Sequence, residues 1–67
     1  MLNFKLEIPG QRPRFFAQLS SAVGAAATLG KQPHVMGLKI LERVGFSWRV
    51  WASEEKNPTV FGKAQES

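Results

Sequence analysis

The chain reads as a small, single α+β domain with elements in the order β-α-α-β and both helices packed on one face of a small sheet. Three stretches predict it. Residues 2–8 alternate apolar and polar side chains. Residues 13–28 repeat apolar side chains at three- and four-residue steps. Residues 46–52 alternate again, with aromatic and β-branched residues. The order β-α-β-β is the runner-up, and residues 33–44 decide between the two.

The first strand places Leu2, Phe4, Leu6 and Ile8 on one face and Asn3, Lys5 and Glu7 on the other. Pro9-Gly10 ends it with turn chemistry. Pro13 suits a first helical position, where its missing N–H costs nothing. From there Phe15, Leu19, Ala22, Val23 and Ala26 form an apolar stripe, and Gly30 is a natural stop. No Ser, Thr, Asp or Asn precedes this helix as a cap. Its many small residues let another backbone approach closely.

Residues 33–44 fit two patterns. As a strand, Leu38 and Ile40 alternate with Lys39 and Leu41, and a tight turn at Val44-Gly45 makes a hairpin. As a helix, Pro33 opens it, Met36, Ile40 and Val44 line one stripe, and Gly45 caps it. Val44-Gly45 is poor hairpin chemistry, since two-residue turns favour Asn-Gly or Asp-Gly. The helix is therefore the expectation. The last strand places Phe46, Trp48, Val50 and Ala52 towards the helices, with Ser47, Arg49 and Trp51 opposite. The domain spans 1–53, and 54–67 forms a polar tail with a possible anchor at Val60-Phe61. Two strands alone make a marginal sheet. Strand addition from a second copy would relieve the open edge and the small core, so a homodimer is expected.

Composition narrows the function. The 67 residues carry nine Lys and Arg against five acids, all Glu, for a net charge of +4. Residues 1–52 hold seven of the cations and only Glu7 and Glu42, with no acid between Ile8 and Leu41. Such a basic body suits a polyanion or an acidic protein surface, although this charge is also ordinary for solubility. There is no Cys and no Asp, and His34 is the single histidine. Disulfides and Cys-based zinc sites are excluded, and His34 has no neighbouring ligand or acid–base partner. No enzyme and no cofactor are expected. Glu54-Glu55 reads as solvated loop. Arg12 and Arg14 ahead of an Ala-rich stretch caricature a signal peptide. That stretch is too short and too polar for a span of about 20 residues, and a strand precedes it. No membrane and a cytoplasmic location are the expectation.

Three surfaces offer binding chemistry. The sheet face opposite the helices would carry Lys5, Arg49 and Trp51, an indole among cations of the kind that stacks on bases or anchors an interface. Val60-Phe61 folding over Trp51 would turn the same face into plain packing. A second helix joined by a Gly-containing turn invites a helix-turn-helix, presenting Lys31, His34, Lys39 and Arg43 to a major groove. Arg12 and Arg14 at a helix N-terminus would clamp a phosphate or carboxylate.

Ile40-Leu41-Glu42-Arg43-Val44-Gly45-Phe46 followed by a strand resembles the helix-to-strand passage of HicA-type RNA-cleaving toxins. That family's histidine in the following strand has no counterpart, since residues 47–56 hold none, so its activity does not carry over. The expectation is a small basic nucleic-acid-binding regulator working through Arg12, Arg14, Lys31, Lys39, Arg43, Arg49 and Trp51. The alternative is an inhibitor or adaptor that docks on an acidic surface of a larger protein, with Val35 and Leu38 as further exposed anchors.

Overall fold

Alternation of apolar and polar residues does produce strands here, and there are more of them than the sequence suggests. A computed structural model describes residues 2–63. In chain order it has strands β1 (Phe4–Glu7) and β2 (Arg14–Phe16), helix α1 (Leu19–Gly30), strands β3 (Lys39–Val44) and β4 (Ser47–Ser53), and a single 3₁₀ turn at Pro58–Phe61. The four strands form one antiparallel sheet in the order β2-β1-β3-β4. The α+β class stands, but the β-α-α-β order with two helices does not.

Two segments account for the difference. The apolar stripe puts Arg14–Phe16 inside the first helix. Instead this segment turns back beside β1, with Phe16 opposite Phe4 and Arg14 opposite Leu6. The Gln11 N–H to Ile8 carbonyl bond of 3.0 Å closes the Pro9-Gly10 turn that starts this return. The helix begins only at Leu19, with Gln18 in extended conformation ahead of it and no side-chain cap.

Residues 39–44, expected in a second helix, are the strand β3. The hairpin to β4 turns on Gly45-Phe46, flanked by the pair Val44 and Ser47. Gly45 has φ of 62° and Phe46 does not share a positive φ. This is the type II′ pattern, in which glycine takes the first central position and suits the twist of the strands. Centring the turn one residue early makes a favourable hairpin look unfavourable. The same finding removes the resemblance at residues 40–46, because no helix precedes the strand.

The core lies between the sheet and α1. Leu6, Ile40 and Ala52 face it from the strands, joined by Ile8 just past β1 and by Val35 and Leu38 from the connection before β3. Ala22 and Ala26, both without exposure, form the helix stripe, and these small side chains let α1 lie close to the sheet. Phe61 closes the core from the C-terminal side and is fully buried. Its backbone crosses directly over the end of α1. A Cβ on Gly30 would stand 1.8 Å from the Phe61 carbonyl oxygen, so only glycine fits there. Phe61 therefore packs on the helix side, and does not roof Trp51. Residues 64–67 of the expected tail lie outside the described residues.

Several residues expected in the core are at the surface. Leu2, Phe15, Met36, Val44 and Phe46 are exposed, and Phe46 is fully so at the hairpin tip. Met36 and Val44 belong to a helical stripe that does not form. Phe15 follows strand parity to the other face of β2, and Phe46 is a turn residue. Conversely Val35 and Leu38, expected as exposed docking anchors, are buried.

Candidate nucleic-acid interface

The sheet face away from α1 is built by the other half of each strand's alternation. Direct cross-strand partners share a face. Phe15 of β2, Lys5 of β1, Leu41 of β3 and Val50 of β4 therefore form one row across all four strands. Beside it, Arg43 pairs with Trp48, and Glu7 pairs with Lys39. Leu41 is only 8% exposed, although among the described residues no helix lies on this side. Its neighbours' side chains exclude the water.

The aromatic groups converge on Lys5. The Trp48 and Phe15 ring centroids are 6.0 Å apart with planes inclined at 55°. The Lys5 ammonium sits 4.7 Å from the centre of the Trp48 ring. The ring's negative face attracts that cation, and its apolar body shields the lysine stem. Glu7 lies 3.7 Å from the same ammonium. Arg43 donates through Nε to the Gly45 carbonyl at 3.1 Å, which holds its stem near the hairpin turn. The face thus carries three cations, Lys5, Lys39 and Arg43, against one carboxylate, Glu7, around two aromatic rings.

Trp48 and Arg49 occupy each other's expected faces because of an irregularity in β4. Ile40 pairs with Ala52 but Leu41 pairs with Val50, so Trp51 is an extra residue in the ladder. Such a bulge shifts the alternation by one residue. Arg49 consequently lies on the helix side of the sheet, opposite Glu42. It binds the Glu42 carboxylate through Nε at 2.9 Å and through its terminal nitrogen. Trp51 stands in the bulge and remains exposed.

The other expected cations are scattered. Arg12 is exposed in the β1–β2 connection and Arg14 is exposed on the edge strand. Neither is at a helix N-terminus, since the helix starts at Leu19, so the anion clamp expected there does not form. Lys31 follows α1 and His34 is exposed just after it. With Lys39 and Arg43 on a strand, the helix-turn-helix reading has no second helix to present them. Of the expected binding residues, the structure brings Lys39 and Arg43 together on the open face with Lys5. Phe15 and Trp48 join them there. Their signal, strand parity, is masked in the sequence by the helical pattern at 13–28 and by the bulge.

A second cluster, with no signature in the sequence, lies at the end of β4. The Glu54 carboxylate accepts hydrogen bonds from the Gly37 N–H and from the Leu38 N–H, the latter at 3.1 Å. The Lys63 ammonium approaches it to 2.9 Å and also donates to the Val35 carbonyl at 2.9 Å. Burial pushes the Glu54 carboxyl up, but the hydrogen bond from Lys63, those from Leu38 and Gly37, and the Lys63 charge outweigh it. Its pKa is held below the ordinary value of 4.5. This group ties residues 35–38 to the C-terminal turn and is structural in character.

Among the described residues, no three His, Asp or Glu side chains are placed to hold a metal ion, and no helix is long and apolar enough to cross a membrane. Compared with known proteins, the chain matches no family model, no curated protein and no solved structure.

Proposed function

We propose that the chain is a small, non-enzymatic nucleic-acid-binding protein that engages its ligand with the open sheet face. The carrying observation is the grouping of Phe15 and Trp48 with Lys5, Lys39 and Arg43 on that one face. Aromatic rings offer flat surfaces to bases, and cations beside them hold phosphates. A regulatory role in the cytoplasm, where nucleic acid is at hand, belongs to this reading.

The test uses Trp48 as its own reporter. A Trp51→Phe background leaves it the single indole of the chain. Titration with mixed-sequence oligonucleotides should quench its emission, with an affinity that falls steeply as salt rises. Emission unchanged at low salt, or an isotherm indifferent to salt, removes the reading.

A second reading rests on β4. Among the described residues no strand pairs with its outer edge, and Val44, Phe46, Val50 and Trp51 expose apolar surface along this hairpin. Such an edge suits a partner protein, with the basic charge directing it to an acidic surface. A nuclease-resistant complex that Val50→Lys disrupts would favour it. For the homodimer expected from the sequence, the sheet is larger than two strands, but the open β4 edge that a second copy could pair with is present.

A further inference from the structure

Resting on the nucleic-acid reading, we infer that the open face takes a short single strand laid along β3 between Lys39 and Arg43, and discriminates against duplex.

The helix cannot serve a duplex. α1 contains no charged residue, and its exposed positions are Ser20, Ser21, Gly24 and Thr28. It has neither the cations that hold phosphates nor the long polar side chains that read base edges in a major groove. The sheet is the wrong width for the same task. Four strands at about 4.8 Å spacing make a surface of about 14 Å before side chains are added. A major groove about 12 Å wide admits a two-stranded ribbon. The row Phe15, Lys5, Leu41 and Val50 therefore cannot reach the base edges of a duplex.

Unpaired bases meet this face without that obstacle, since their flat sides are free to lie on the half-exposed Phe15 ring and beside Trp48, one face of which Lys5 already covers. Lys39 and Arg43 set the length. Both are on β3 and on the open face, four residues apart with Leu41 between them. At about 3.3 Å per strand residue their backbones are ~13 Å apart. A stacked strand rises about 3.4 Å per nucleotide, so about four nucleotides fill the interval. Trp48, opposite Arg43, marks the end where stacking is expected to be strongest.

The experiment measures fluorescence anisotropy of labelled oligonucleotides with the full chain. A mixed-sequence length series is compared with a hairpin duplex at several salt concentrations. Affinity should rise steeply up to about four nucleotides and then only slowly, and the duplex should bind at least about tenfold more weakly. The double variant Lys39→Gln, Arg43→Gln should reduce the salt slope for a single strand by about 1.4, since each phosphate left without its cation lowers the slope by about 0.7. An unchanged urea midpoint shows that this variant is folded. Duplex bound as tightly as single strand, or an unchanged slope in the folded variant, overturns the inference while leaving nucleic-acid binding in place. Failure of both ligands to bind overturns the inference and the reading together.

Discussion

On the helix side of the sheet, Leu6, Ile40 and Ala52 are closed over by Ala22, Ala26 and Phe61, and none of these six is more than 3% exposed. On the open side, Leu41 is buried by its neighbours within the sheet, while Phe15 and Val50 remain about half exposed. The same alternation of residues feeds both faces, so the contrast comes from what lies opposite. One face is covered by a helix and a C-terminal plug. Among the described residues the other has no element packed on it, and its cations and aromatic side chains, with Lys5 between Trp48 and Glu7, face outward. Removing a side chain from the first should cost folding. Removing one from the second should cost binding, with a smaller effect on folding.

Phe61→Ala should have the largest effect. Deleting a fully buried phenylalanine costs roughly 3–5 kcal/mol, and the core of so small a domain supplies little more. The cooperative urea transition, followed by circular dichroism, should be lost or shifted to very low denaturant. Phe15→Ala, on the open face, should leave a clear transition. Equal damage from the two would end the distinction between a core face and a binding face.

Glu54 ranks next, because it fastens the plug that makes the faces differ. Glu54→Gln keeps the shape but loses the charge that Lys63 and two backbone N–H groups address. A loss of about 1–3 kcal/mol is expected. The pH dependence has a definite sign. The folded carboxyl titrates below its ordinary value of 4.5, so its contribution is present above that pH and is lost as pH falls through the lowered folded value. The wild-type urea midpoint should therefore drop on acidification below about pH 4.5 more than that of the variant. Parallel curves would mean that Glu54 does not hold the plug.

What is legible in the sequence follows the same division. Strict alternation marks β1, and it is a strand over Phe4–Glu7. The apolar stripe marks α1 but misplaces its start, because Pro13 and Phe15 fit a helical opening as well as they fit an edge strand. Pairing with β1 settles that choice, and pairing is a long-range property. At residues 39–44 the local helix pattern is satisfactory, and the deciding feature is a turn centred on Gly45-Phe46 instead of Val44-Gly45. In the candidate site, Lys39 and Arg43 stand out as residues of a helix that does not exist, yet a strand also places residues four apart on one face. Trp48 goes to the wrong face because nothing local in Ser47–Ser53 announces the bulge at Trp51. Glu54 and Lys63, nine positions apart with a turn between them, form no recognisable pattern until the chain folds.

The smallest expected effect is the most specific. Alternation alone puts Arg49 on the binding face, and the bulge places it on the other side, paired with Glu42. Its side chain is 73% exposed, and such exposed pairs contribute at most about 1 kcal/mol. Arg49→Gln should shift the urea midpoint little. It should also leave oligonucleotide affinity near the wild-type value, apart from the weak general effect of one fewer cation at low salt. Arg43→Gln removes the same charge only six positions earlier, but from the open face beside Trp48. Its loss of affinity should be several-fold greater and should lower the salt slope by about 0.7. Two arginines on adjacent strands thus test strand parity directly. If both variants bind equally well, charge alone explains association and the open face has no special role. If Arg49→Gln is the more damaging, the ligand approaches from the helix side.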